Sequence, residues 1–287
     1  MANVQRYAAF SASPDGGNPA GVVLHAEGLD DSAMQQTAAD IGYSETAFLT
    51  GRGLTPDGAI RVRYFSPKAE VAFCGHATIA TGVALGEVGG PGEFPLLTNA
   101  GPVLLTVDRT GDGVDDEAGT ITATFESPPA GAEALPEEHL DELLATLGWS
   151  RTDLDQRFPP MVATAGNRHP VLVARQLDRL AGLDYDVPTL AQLCHEHDWT
   201  TIQLVTPLAD GCWRSRNPFP IGGVVEDPAT GAAAAAFGGY LRALGRVQVG
   251  DRLVIEQGVE MGRPSTITIL VGASTILVTG TAAAIPT

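Results

Sequence analysis

Two stretches of small apolar residues constrain this chain of 287 residues more than any other feature. The first covers residues 77–85 and is entered through Phe73-Cys74-Gly75-His76; the second covers residues 232–241 and is entered through Glu226-Asp227-Pro228-Ala229-Thr230-Gly231. Both have helical spacing and both are apolar on every side. A helix of that kind is normally buried. Its first amides have no partner within the helix, and a glycine at the entrance lets another group approach the backbone. A buried helix start carrying a thiol and an imidazole is a candidate anion site. Taken alone, the first stretch is explained equally well by a glycine turn ahead of a core helix.

The two stretches are parts of a longer parallel. A proline-containing segment precedes each, Ser66-Pro67 in one case and Arg216-Asn217-Pro218-Phe219-Pro220 in the other. Gly17-Asn18 is echoed by Gly166-Asn167 at an offset of 149, Gly75 by Gly231 at 156, and Gly101 by Gly258 at 157. Near-constant offsets in the same order mark a duplicated domain whose halves have diverged. Two helices starting toward one another would bring both sets of amides to one cleft.

Strand patterns are expected over residues 4–10, 20–24, 45–49, 61–65, 96–107 and 119–126, and again over 160–164, 171–173, 201–206, 213–216, 252–257, 265–271 and 276–279. Helices are expected over 31–41, with Asp30 or Asp31 as cap, and over 77–85, 136–147, 187–197 and 232–241. Residues 86–95 read as a Gly/Pro-rich connection, 108–118 as an exposed acidic loop, and 127–131 as a linker. Strands outnumber helices without strict alternation, so the class is α+β.

A formal charge of −17 argues against nucleic acid and against anionic membrane surfaces as partners. Three scattered cysteines fit reduced thiols in a cytosol better than a disulfide framework. Neither a signal-peptide pattern nor an apolar run of membrane-spanning length is visible, so the expected location is cytoplasmic.

Cys194-His195-Glu196-His197 invites a metal reading. On a helix, however, residues one or two apart do not share a face, and a solvated helix end is the preferred reading. No Gly-rich nucleotide fingerprint opens a helix, and no serine nucleophile elbow is present. The remaining set is Glu45, Cys74, Gly75, His76, Asp227, Thr230 and Gly231. A carboxylate, a thiol, an imidazole, a second carboxylate and two helix starts suit proton transfer at carbon, with amides holding a substrate carboxylate or an enolate-like anion. No metal and no cofactor is expected.

Gly17-Asn18-Pro19-Ala20, Ser44-Glu45-Thr46, Phe73-Cys74-Gly75-His76-Ala77-Thr78 and Glu226-Asp227-Pro228-Ala229-Thr230-Gly231, with Arg216 and Pro220 upstream of the last, resemble the phenazine biosynthesis PhzF-like family of the diaminopimelate epimerase-like fold. The resemblance implies two pseudo-symmetric domains, residues 1–128 and 129–287, each a barrel-like, mostly antiparallel sheet around a central helix. The last strand is free to return to the first domain. It further implies an active site in a cleft and a homodimer acting on a small carboxylated metabolite.

By the same resemblance, Glu45 is the proton-shuttling glutamate, with His76 and Asp227 as the other catalytic residues. Asn18, Cys74, Gly75, Thr230, Gly231 and Ala232 line the substrate. The family often has serine where this chain has Ala232. A lost hydrogen bond to a charged group weakens binding by roughly 1.5–3 kcal/mol, so the departure bears on which substrate binds. Related racemases oppose two thiols; the second half here offers Thr230, a far weaker base than a thiolate. The expected function is a cofactor-independent isomerase. The alternatives are a related acid–base lyase or cyclase of secondary metabolism, or a non-catalytic binding scaffold.

Overall fold

The computed structural model describes residues 3–51, 59–110, 119–209 and 211–286. The chain divides into two compact units, residues 1–126 with 279–287, and residues 127–278.

The first unit contains β1 (Gln5–Ala9), β2 (Asn18–Val23), α1 (Asp31–Ile41), β3 (Glu45–Gly51), β4 (Ile60–Phe65), β5 (Glu70–Val71), α2 (Gly75–Gly89), β6 (Gly92–Thr98), β7 (Gly101–Thr110) and β8 (Thr120–Glu126). The second contains β9 (Gly131–Ala134), α3 (Glu137–Thr146), β10 (Met161–Thr164), β11 (Arg168–Val173), α4 (Leu177–Ala181), α5 (Val187–His197), β12 (Gln203–Pro207), β13 (Cys212–Arg216), α6 (Gly231–Ala243), β14 (Arg252–Gln257) and β15 (Ser265–Val271). β16 (Ile276–Gly280) begins in the second unit, and its last residues, with β17 (Ala282–Ala284), belong to the first.

The duplication is visible in the pairing. In the first unit β1–β2 is antiparallel, β2–β3 parallel, β3–β4 antiparallel, β4–β6 parallel and β6–β7 antiparallel. In the second, β10–β11, β11–β12, β12–β13, β13–β14 and β14–β15 repeat that series in the same order. The strands of each unit wrap one helix. α2 packs against β1, β2, β3, β7, β8 and β17, and α6 against β9, β10, β11, β12 and β15. Two of the three glycine pairs seen in the sequence are positive-φ positions in both copies: Gly17 and Gly166 at 62° and 98°, Gly101 and Gly258 at 119° and 74°.

Small residues let the strands close on the helices. A Cβ on Gly82 would lie 2.5 Å from the Ala123 Cβ, and one on Gly239 would lie 2.8 Å from the Ala130 Cβ. Each helical glycine costs about 1 kcal/mol of propensity, offset here by close packing. A T-shaped aromatic chain, Tyr64–Phe73–Phe125, with centroids 5.9 and 5.5 Å apart, fixes the segment that leads into α2.

Several expected boundaries are corrected. Residues 86–95 are not a connection, because α2 continues to Gly89 and β6 starts at Gly92. Gly86 is a packing residue: a Cβ there would meet Val107 Cγ1 at 2.7 Å. Residues 96–107 do not form one strand but belong to two, β6 and β7, joined at Asn99-Ala100. The turn is held by Thr98, whose hydroxyl donates to the Gly101 carbonyl at 2.7 Å. Residues 108–110 extend β7, and 111–118 lie outside the described residues. The segment expected as a linker, 127–131, starts where the first unit ends, and only its last residue, Gly131, belongs to β9, which pairs with β10. β12 starts at Gln203, and α4 and β17 carry too few residues to show a period. Among the described residues, no helix is long and apolar enough to cross a membrane.

Candidate active site

In the first unit, parallel pairing puts Ala20 opposite Glu45, so β2 and β3 start side by side with Asn18, Ser44 and Glu45 at one sheet end. The β1–β2 turn depends on Gly17. At φ 62° its missing Cβ would lie 2.4 Å from the Ala9 carbonyl oxygen, and any side chain would push Asn18 away. α2 begins at the same residues' side chains, through Cys74 and His76.

The polar groups there form one cluster. Asn18 Nδ2 is 3.3 Å from His76 Nδ1, Ser44 Oγ is 3.3 Å from His76 Nε2, and Ser44 Oγ reaches Asn18 Oδ1 at 3.5 Å. His76 Nε2 lies 3.4 Å from Glu45 Oε2, and the Cys74 thiol donates to the same oxygen at 3.4 Å. Burial holds the His76 pKa below its ordinary value, and nearby Glu45 opposes that shift only in part. His76 is therefore a neutral imidazole at neutral pH. With the Asn18 amide donating to Nδ1, its proton sits on Nε2, facing Glu45 and Ser44. Cys74 occupies the N-cap of α2 without a side-chain cap bond; its Sγ lies within hydrogen-bond distance of Glu45 Oε2, at 3.4 Å, and of His76 Nδ1, at 3.3 Å.

One ligand atom each from Glu45, Cys74 and His76 lies within 4.8 Å of the others, the makings of a three-ligand metal site. The ring does not point at it. Cys74 Sγ is 3.3 Å from His76 Nδ1 and 3.8 Å from Nε2. A sulfur sharing an ion with one ring nitrogen would be much farther from the other. Binding an ion through all three would require the buried imidazole to turn away from Asn18 and Ser44.

In the second unit, Asp227, Thr230 and Gly231 lie together at the start of α6. The Thr230 hydroxyl donates to Asp227 Oδ2 at 2.5 Å. Thr230 is the N-cap of α6 and, like Cys74, spends its side chain on an acid and not on the helix. Ala232 is partly exposed, while Gly231 and Ala233 are buried. Preceding Asp227, Glu226 is buried in a bidentate pair with Arg216, at 2.6 Å from Nη2 and 3.0 Å from Nε. Arg216 Nη1 also donates to the Ala181 carbonyl at 2.9 Å. The offsets of 149 and 156 place His169 and Thr201 where the first unit has Ala20 and Glu45. These two form a buried hydrogen bond of 2.9 Å, which Thr201 continues to Asn217 at 2.8 Å. The acid of the first unit thus has a neutral, buried counterpart in the second.

Sequence reasoning missed Gln257, whose side chain bonds to both Asp227 and Thr230. Its counterpart before Gly101 is Ala100, so the repeat gave no signal. Cys194 is buried in the apolar core, and the His197 ring lies 4.0 Å from that of His139, so the residue run 194–197 forms no ligand cluster.

A model of the family described as phenazine biosynthesis-like protein matches residues 7–287. A protein of Deinococcus radiodurans named as an uncharacterized isomerase is 35% identical over 94% of this chain and 86% of its own length. The trans-2,3-dihydro-3-hydroxyanthranilate isomerase of Pseudomonas fluorescens is 33% identical over 90% of this chain and 86% of its own. The crystal structure of a Bacillus anthracis phenazine biosynthesis protein of the PhzF family superposes with a TM-score of 0.85 at 25% identity, covering 99% of this chain and 96% of that one. A probable proline racemase from Agrobacterium radiobacter shares the fold at 15% identity, with a TM-score of 0.65 over 98% of this chain and 90% of its own.

Proposed function

The chain belongs to the phenazine biosynthesis-like family of isomerases, and we propose that it relocates a proton on a small carboxylate-bearing substrate with Glu45 as the base and then the acid. The observation that carries this reading is the grouping at Glu45 Oε2 of the Cys74 thiol, which donates to it, and the His76 ring, whose Nε2 lies 3.4 Å away. These contacts engage one oxygen of Glu45, and the proposal gives the other to the substrate. Glu45 takes a proton from one carbon, the electron pair moves into the adjacent π system, and the Glu45 carboxyl, whose proton exchanges with solvent, delivers a proton at a second carbon. Neither oxidant nor reductant is consumed. His76, neutral and 3.4 Å from the carboxylate, steadies Glu45 as its charge changes. Asp227 assists by hydrogen bonding, and helix-start amides bind the substrate carboxylate.

The relatives point to a substrate class, a dihydro-hydroxyanthranilate. Ala232 offers a methyl group where a hydroxyl would donate, so a substrate lacking an acceptor at that point fits this chain better. The test is turnover of trans-2,3-dihydro-3-hydroxyanthranilate by the wild type and by Glu45→Gln. A positioned general base contributes about 100-fold or more, so Glu45→Gln should lose at least that much kcat while folding normally. A variant with wild-type turnover would remove Glu45 from the mechanism.

A further inference from the structure

We infer that Gln257 is a positioning residue for Asp227, acting through the Thr230 hydroxyl. This rests on the reading that Asp227 assists the reaction. Gln257 closes β14 and is 1% exposed. Its amide makes three bonds to the segment 227–230. Nε2 donates to the Asp227 carbonyl at 2.7 Å and to Thr230 Oγ1 at 3.0 Å, while Oε1 accepts from the Thr230 amide at 3.2 Å. These partners fix which end of the amide is nitrogen, because a carbonyl can only accept and a backbone amide can only donate.

The direction of the next bond follows. Thr230 Oγ1 already accepts a hydrogen from Gln257, so its own hydrogen is aimed at Asp227 Oδ2, 2.5 Å away. Gln257 therefore makes the hydroxyl a dedicated donor to the carboxylate. The surrounding backbone is arranged for this. The Asp227 amide donates to the Asn217 carbonyl at 2.9 Å, and Ser265 Oγ donates to the Pro228 carbonyl at 2.9 Å. Gly258, at φ 74°, brings β14 so close that a Cβ would lie 2.7 Å from the Pro228 oxygen. Thr230 also stands where the first unit has Cys74, which donates to Glu45. Each helix start thus gives its cap side chain to an acid, and in the second unit Gln257 sets the polarity of that gift.

The test compares Gln257→Glu, Thr230→Val and Asp227→Asn with the wild type in kcat, KM and the pH profile of kcat. Gln257→Glu keeps the shape but replaces both donors with an acceptor. It should lower kcat about tenfold or more, the loss expected when a hydrogen bond to a charged group is removed, with KM within about twofold. The acid limb of its profile should move to higher pH, because the carboxylate has lost a donor. Thr230→Val leaves the backbone bonds of Gln257 in place and should move the same limb in the same direction. A purely structural role would lower the melting temperature and leave the limb where it is. A wild-type profile in both variants overturns the inference, and in Thr230→Val alone it does so even if Gln257→Glu fails to fold. Should Asp227→Asn turn over at the wild-type rate, the role of Asp227 falls and the inference with it. If Asp227→Asn is inactive while Gln257→Glu is normal, only the inference falls.

Discussion

Replacing Arg216 by Met isolates the buried ion pair that precedes Asp227. The side chains of Arg216 and Glu226 are 11% and 5% exposed, so water does little to screen them. Arg216 donates to Glu226 at 2.6, 3.0 and 3.2 Å and to the carbonyls of Ala181 and Leu180 at 2.9 and 3.3 Å. Methionine keeps the apolar stem and removes every donor, leaving a buried carboxylate without its cation. Breaking such a pair from one side costs about 3–5 kcal/mol. The assay is urea unfolding followed by tryptophan fluorescence, because Trp149, Trp199 and Trp213 all lie in the same unit as Arg216. The expected loss for Arg216→Met is about 4 kcal/mol. The double variant Arg216→Met, Glu226→Leu should recover at least half of it, since the uncompensated charge, and not the missing attraction, dominates the loss. A loss below about 1 kcal/mol would place the pair among solvated surface bridges and refute the reasoning, as would a double variant no more stable than the single one.

Two further predictions concern stability. His169 is fully buried, and burial pushes its pKa down to about 4. The unfolded chain binds this proton near pH 6.5, so the folded state loses stability as pH falls from about 6.5 through 4, by roughly 3 kcal/mol in all. His169→Gln should flatten the dependence between pH 7.5 and 4.5 in urea midpoints; an unchanged slope would show that His169 does not titrate with unfolding. Gly82→Ala should destabilise by about 1–2 kcal/mol, because overpacking against Ala123 and Leu105 outweighs the gain in helix propensity. Ala123→Gly added to it should restore most of the melting temperature, and a Gly82→Ala protein as stable as the wild type would mean that α2 shifts freely.

The sequence showed the framework because the framework is repetitive. Glycines at matching offsets and two helices apolar on all sides can be read without tertiary knowledge, since such helices must be buried. Boundaries were lost where a glycine served packing and not chain reversal. Gly86 read as a breaker and is a contact with Val107 and Ile121. Glu45, His76 and Asp227 stand out in the sequence through their motifs. Their partnerships do not: the Cys74 hydrogen bond to Glu45 and the Gln257 bonds to Thr230 join residues 29 and 27 positions apart, and no local pattern encodes them. The strand at 201–206 was expected, but the change from Glu45 to the buried Thr201–His169 pair at the matching position becomes meaningful only once the strands are in register.

The central claim is that Glu45 moves a proton between carbons. The most direct measurement is proton NMR of trans-2,3-dihydro-3-hydroxyanthranilate in heavy water with wild type and Glu45→Gln. The account predicts that the wild type isomerises the substrate with deuterium appearing at carbon, and that Glu45→Gln does neither. Isomerisation or deuterium uptake by Glu45→Gln at the wild-type rate would contradict it.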